Sequence, residues 1–524
     1  MIYQAIPDEV LAKAKDGPHL QELYRQFIDS QFPPSLRTCR RRLQEFNNKG
    51  NTVEMDAISA GELHSPDKSR IKADGKCFVL TTAQNNTRIN MPFFESLQSY
   101  CKYNQAELVV GGITYTRPSG GVVWDSTVQP YICKEPTILA EGLLWCGELN
   151  VSPTAVEPFS GLDSYTVGYS GIIPHTKMRM RSLPHDVAGN PRFMYTTGAV
   201  TMRNYIPQKA GQKASFHHVY GAVVVEIDND GDWFVRQLVA DSTGGFHDLN
   251  KYYSGDCVAE SYVKAINWGD VHFPNECADF WYWLDDMSEI LRPRYHFLHD
   301  VYDFYVRNHH DIKNPHSMFQ RKDGKVEEEF AAMEQKLTKV LDKIGGSELV
   351  VVHSNHDAAL DKWLREADYR ADPQNAEFFL WCQHTLYRNG DFKSGKMKSA
   401  MPFLIGERGT VCGDKVRYLE PDESFLLFGN TDKPIDCGKH GHNGINGSRG
   451  TPSQFTKIGC RANTGHTHTA GILDGVYTAG TSTNLKIHYT VGPSTWSQSH
   501  ILTYPNSKRA IVSCRGKKWF GGSL

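Results

Sequence analysis

The sequence has no apolar run long enough to cross a membrane. Such a span needs roughly 18 apolar residues, and the strongest short run, Gly221-Ala-Val-Val-Val225, is the size of a strand. Residues 1–10 lack the basic and apolar stretches of a secretory signal, so none is expected. The 12 cysteines never take C-x-x-C spacing. That argues against a zinc knuckle or a disulfide framework and for a reducing cytoplasm. Charge of one sign is also missing, with 57 Lys+Arg against 59 Asp+Glu. A chain that bound nucleic acid over its whole surface would be basic. Any such contact here must come from local patches or from bound metal. Neither GxGxxG nor a Walker sequence occurs, so nucleotide-cradle functions have no support.

What is present is a globular composition, 40% hydrophobic and 22% charged, over 524 residues. That length suggests about two to four domains. Residues 1–50 read as helical. The second helix there has one apolar face of Leu36, Cys39, Leu43 and Phe46, with Arg37, Arg40, Arg41 and Arg42 on the others. It suits a helix-turn-helix on DNA, a helical hairpin with solvated arginines, or an oligomerisation arm. Residues 51–75 read as a polar linker. Residues 76–260 open with strand, helix and strand, then turn to β-branched, Gly- and Pro-rich sequence, giving a mixed α/β accessory domain. Its clearest element is a hairpin over 221–227 and 233–239. The acidic turn at 228–232 lacks the other ligands of a calcium loop. From 261 to 524 strands alternate with helices, including an amphipathic helix over 326–344, and the pattern then becomes mostly β. The fold class expected is α/β.

Of the 22 histidines, many fall in short clusters. Five segments stand out: Gly269-Asp-Val-His272, His299-Asp-Val-Tyr-Asp303, His353-Ser-Asn-His-Asp357, Gly438-Lys-His-Gly-His442 and Gly465-His-Thr-His468. The first three follow strands, and polar loops at strand C-termini are where α/β folds place their sites. In extended chain, residues i and i+2 point to one side, so D-x-H and H-x-H can each deliver two ligands to one place. The donors are carboxylate, amide and imidazole without thiolate, which suits manganese, iron or zinc better than a structural zinc site.

In this order the motifs D-x-H, D-x-x-D, N-H-D, an isolated H and G-H-x-H resemble the calcineurin-like metallophosphoesterase superfamily, which includes double-strand-break repair nucleases. Within it, the chain is similar to phage pre-early DNA-transfer nuclease proteins. That likeness lies in HDVYDF (299–304), RNHH (307–310), SNHD (354–357), KHGHNGINGSRG (439–450), TGHTHTAG (464–471), AGTST (479–483) and VGPSTW (491–496). His299 and Ser354 stand where the family usually has Gly.

The resemblance implies a metallophosphoesterase β-sandwich flanked by helices over 261–524. It implies two divalent ions, Mn2+ foremost, with Mg2+, Fe2+ and Zn2+ as alternatives. Asp270, His272 and His468 would hold one, Asn355, His440 and His466 the other, and Asp300 both. His356 would be the catalytic histidine and Asp357 its orienting partner. Asp303 is expected behind the ligands, and His442 and Arg449 on the substrate. His353 reads as a core histidine, Trp496 as turn packing or a base-stacking surface. Lys508, Arg509, Arg515, Lys517 and Lys518 read as a solvated face or a DNA-backbone contact. The expected activity is that of a DNA phosphodiesterase, cytoplasmic and homo-oligomeric. A phosphomonoesterase or small-molecule phosphodiesterase on the same scaffold stays open, as does a non-enzymatic DNA-transfer protein with structural metals.

Overall fold

A computed structural model describes residues 76–115, 122–186, 190–308, 311–389, 399–487 and 490–521. The arginine-bearing N-terminal helices, the linker, and His309 and His310 lie outside the described residues. The described residues all belong to one compact unit.

The unit starts with a four-stranded sheet ordered Glu107–Ile113, Cys77–Gln84, Gly221–Ile227, Trp233–Val239. The first two strands are parallel, joined through the helix Met91–Asn104. Asn90 caps that helix by accepting from the Phe93 N–H, and Pro92 sits in its first turn, where a missing N–H costs nothing. The other pair is the expected hairpin, in register from Gly221↔Val239 to Ile227↔Trp233. Its acidic turn holds the Lys518 ammonium against Asp228 and Asp230. A lysine therefore fills the place that the charge pattern offered to a cation.

A six-stranded sheet carries the motifs. Its order is Val416–Tyr418, Glu348–Val352, Tyr295–His299, Ala265–Asn267, Ser499–Thr503, Arg509–Ser513, with the first four parallel. Alternation along the strands divides the core. Ile266, Leu298, Leu349 and Val351 face a helical layer that includes Phe280–Leu291 and Val326–Lys343. Ala265, Phe297, Val350 and Val352 face Leu427, Ile435 and Cys437 of a second sheet. The helix Val326–Lys343 buries Phe330, Met333, Leu337 and Val340 at spacings of three and four, as its pattern requires. Glu327, Glu328 and Glu329 in its first turn and Lys343 in its last suit the helix dipole.

The second sheet has ten strands. Five come from residues 426–478 and five from 136–196. They join where Gly471–Leu473 pairs antiparallel with Met180–Leu183, through Gly471↔Arg181 and Ile472↔Met180. One sheet thus runs across the boundary expected at residue 260. The chain is α/β, with helices on one face of the motif-bearing sheet and a sheet on the other. No described helix is long and apolar enough to cross a membrane.

Two buried imidazoles give this fold a defined acid limit. His296 accepts from Trp268 Nε1 at 3.1 Å. His218 contacts Thr201 O through Nε2 and Tyr205 OH through Nδ1. Burial holds both down to about 3, against about 6.5 in an unfolded chain. Between those values the unfolded state binds more protons. Their stabilisation is therefore complete above pH 6.5 and is lost as pH falls toward 3, each steepening the decline by up to about 1.4 kcal/mol per pH unit. Urea unfolding at stepped pH should show this limb, and H218Q and H296Q together should make it shallower.

Candidate metal centre

The parallel strands deliver the motifs. Asp270 follows Ala265–Asn267, Asp300 follows Tyr295–His299, and Asn355 follows Glu348–Val352. The second sheet brings His466 and His468 in after Arg461–Thr464. The backbone bends sharply to let the side chains converge: His272, Asp300, His466 and His468 all have positive φ, between 49° and 71°. Non-glycine residues seldom adopt that conformation, and such strain clusters at functional sites. Gly465 allows the closest approach. A Cβ there would lie 2.2 Å from Asp270 Oδ1.

The floor is dry. Asp270, His272, Asp300, His440 and His468 are all buried. His272 Nε2 lies 2.9 Å from His468 Nε2 and 3.2 Å from Asp300 Oδ2. His468 Nε2 lies 3.1 Å from Asp270 Oδ2. His440 Nε2 lies 3.1 Å from Asn355 Oδ1 and 3.4 Å from Asp300 Oδ2. Ligands bound at about 2.1 Å and at right angles to one another sit about 3 Å apart. These separations match the edges that such a coordination polyhedron would have. Asp270, His272, Asp300 and His468 form one group that can hold a metal ion, and Asp300 Oδ1 has no hydrogen bond within the protein. His466 stands at the rim, half-buried. Its N–H donates to Asp270 Oδ2 at 2.7 Å, and its ring is 5.1 Å from that of His440.

Charge follows the same geometry. Burial, and then the Asp300 carboxylate beside it, push Asp270 well above the usual carboxylate range. Burial works against the Asp300 charge too, yet His440, His272 and His356 around it hold it well below that range. A bound cation would favour the ionised form of both.

Asp303 organises the neighbouring histidines. It lies 3.1 Å from His272 Nδ1 and 2.8 Å from His356 Nδ1, and accepts from Asn275 Nδ2 at 2.8 Å. With Nδ1–H directed at Asp303, His272 is left with Nε2 facing the cluster, the arrangement that ligating histidines use. The same contact fixes His356. The partner expected of His356, Asp357, does something else: it accepts the Tyr302 N–H at 2.9 Å, and its own N–H donates to Ser354 Oγ. It heads the helix Ala358–Glu366, and ties the 300–303 loop to the 354–357 loop. Asp303, remote from His356 in the chain, is the carboxylate in contact with it.

The remaining expected residues scatter around the rim. His442 is half-buried, with its ring 5.3 Å from that of His440 and 6.1 Å from His353. Arg449 is exposed on its loop, close enough for its charge to act on His466. Trp496 sets its edge against His468 at 4.2 Å, so it belongs to the wall of the centre. Three of the C-terminal cations are engaged internally. Arg509 is buried and donates to Ala462 O, Asn463 Oδ1 and Gly475 O. Arg515 covers the Trp233 ring, and Lys518 holds the acidic turn.

The motif reading left out the anchors of Asp270. Ser482 N–H and Thr481 Oγ1 donate to its carbonyl, and the Gly269 N–H donates to His500 Nδ1. Only the likeness in AGTST pointed to the first two.

Fold and site together define an α/β protein with a buried histidine–carboxylate centre able to hold a metal ion. The chain is 37% identical over 480 residues to Protein A1 of Escherichia phage T5, an alignment covering 85% of this chain and 83% of that protein. It belongs to the Protein A1 family. No family model matches the chain, and no solved structure does.

Metal should stabilise this fold. Mn2+ at 100 times its Kd should raise the unfolding free energy by about 2.7 kcal/mol, seen as a rise in Tm that EDTA reverses. D300A should abolish that rise, and retained full metal occupancy in D300A would contradict the central place given to Asp300.

Proposed function

We propose that the chain is a two-metal DNA phosphodiesterase of the calcineurin-like metallophosphoesterase type. The observation that carries this reading is the cluster of buried donors spaced as polyhedron edges, with a histidine–carboxylate pair beside it. Asp270, His272 and His468 would hold one ion, Asn355, His440 and His466 the other, and Asp300 both. Mn2+ is the first choice for a thiolate-free set of imidazole, amide and carboxylate. When bound, such ions supply Lewis acidity, neutralising phosphate charge and acidifying water. DNA as the substrate rests on the resemblance of the motifs to phage DNA-transfer nucleases.

The chain's own part is proton transfer and positioning. His356 is partly exposed at the mouth. Burial disfavours its charge, but Asp300 and Asp303 outweigh that and bring it up to about 9. Its Nδ1 is held by Asp303, so Nε2 is the atom that can give a proton to the leaving ester oxygen. Arg449, exposed on its glycine-rich loop, can meet a phosphate oxygen at the rim. Trp496 gives the same rim a flat apolar wall.

Plasmid cleavage with Mn2+ and with EDTA tests the reading, with p-nitrophenyl phosphate as the control. Metal-dependent loss of plasmid supports it. Turnover of the small ester alone would favour a phosphomonoesterase, and metal binding without turnover a structural metal. H356A should slow plasmid cleavage by about 10²–10⁴-fold while metal content stays at the wild-type level; metal loss would refute the role of His356. D303N removes a carboxylate that raises His356, so the alkaline limb of the rate profile should move to lower pH. An unmoved limb would sink the pairing.

A further inference from the structure

Among the described polar atoms buried beside the centre without a hydrogen bond are Asp270 Oδ1, His440 Nδ1 and both ring nitrogens of His299. One donor atom from each of these residues lies within 4.8 Å of the others. The His299 and His440 ring centroids are 5.5 Å apart, and His440 Nδ1 is 3.9 Å from Asp270 Oδ1. None of the three residues is more than 2% exposed. Buried polar atoms are nearly always paired, so four unpaired ones in a single knot call for an explanation.

The two flanking residues define what is missing. His440 turns Nε2 toward Asn355 and Asp300. A histidine that offers Nε2 to a cation keeps its proton on Nδ1, and that N–H needs an acceptor. Asp270 has the opposite need. Its Oδ2 already receives the His466 N–H and faces His468, while Oδ1 lacks a donor. A neutral imidazole has one nitrogen that accepts and one that donates. Close to both, His299 could meet both needs, making two donors and two acceptors in all. A third cation in this space would instead require His440 to bind metal through both nitrogens, giving up its ring proton.

We propose that His299 is a positioning residue: with the ions bound it would accept the His440 Nδ1–H and donate its own N–H to Asp270 Oδ1, tying a ligand of one ion to a ligand of the other. This rests on the two-ion reading above. The relay would align both ligands at once, so its loss should be felt most by the more weakly held ion.

The test is Mn2+ titration of the full chain by calorimetry, with bound metal counted by mass spectrometry. Wild type, H299L and H299Q are compared, and the Tm of each metal-free form is recorded. Wild type should bind two ions. H299L should bind the second about 10–100-fold more weakly, the usual effect of removing a partner behind a ligating histidine. Its metal-free form should melt no lower than wild type, since an unpaired buried imidazole is replaced by an apolar side chain. H299Q keeps a donor and an acceptor and should recover most of the affinity. Wild-type affinity for both ions in H299L would overturn the relay and leave the two-ion centre standing. If H299L melts lower without metal, H299Q decides: a loss as large as that of H299L overturns the relay. A wild-type chain that binds no Mn2+ would sink the two-ion reading and the relay with it.

Discussion

Asp270 and Asp300 place two carboxylates side by side in an interior that water does not reach. An isolated ionised carboxylate in such a place is so unfavourable that it would take a proton unless opposite charge were at hand. The imidazoles around them offer lone pairs, and a cation held among those would supply such charge. The bent backbone at His272, Asp300, His466 and His468, the missing side chain at Gly465, and the anchors on Asp270 all serve this single convergence. Four strained residues at about 1–3 kcal/mol each would not persist in a fold that gained nothing from bringing them together.

Much of this was legible in the order of the motifs, because ligand-bearing loops follow strand ends and strands of buried parallel sheet read as apolar runs. The helix Val326–Lys343 and the hairpin Gly221–Ile227/Trp233–Val239 were legible for the same reason: one period of burial governs each. Sheet partners were not. Nothing in the side chains of Gly471–Leu473 says that the next strand is Met180–Leu183, almost 300 residues earlier. The partner of His356 was also misread. Asp357 is its neighbour in sequence, but a helix begins there and turns successive side chains apart, whereas Asp303 returns on another loop. Counting C-terminal cations likewise could not show that Arg509, Arg515 and Lys518 have internal partners.

The region before residue 260 is bound to the centre through more than strand pairing. Ile511 N–H, on the edge strand of the motif-bearing sheet, donates to Gln237 Oε1 of the hairpin. The Leu249 N–H donates to Tyr504 OH. Inside the earlier region, Arg236 is buried between Glu226 and Asp248, with Tyr100 donating to the latter. Replacing one member of such a set leaves a stranded charge, so these contacts specify one arrangement strongly even where their net contribution to stability is small.

The ten-stranded sheet bears on how proteins of this kind can change over time. When a sheet is assembled half from one part of a chain and half from another, cutting between the halves exposes raw backbone on both, and open edges of that sort invite pairing with the wrong neighbour. A gene fragment encoding only the histidine-rich portion would carry the cluster without the strands that cover its sheet edge. Exchange of modules by recombination is thereby disfavoured at the middle of the gene, and lineages should inherit the two portions as a single block.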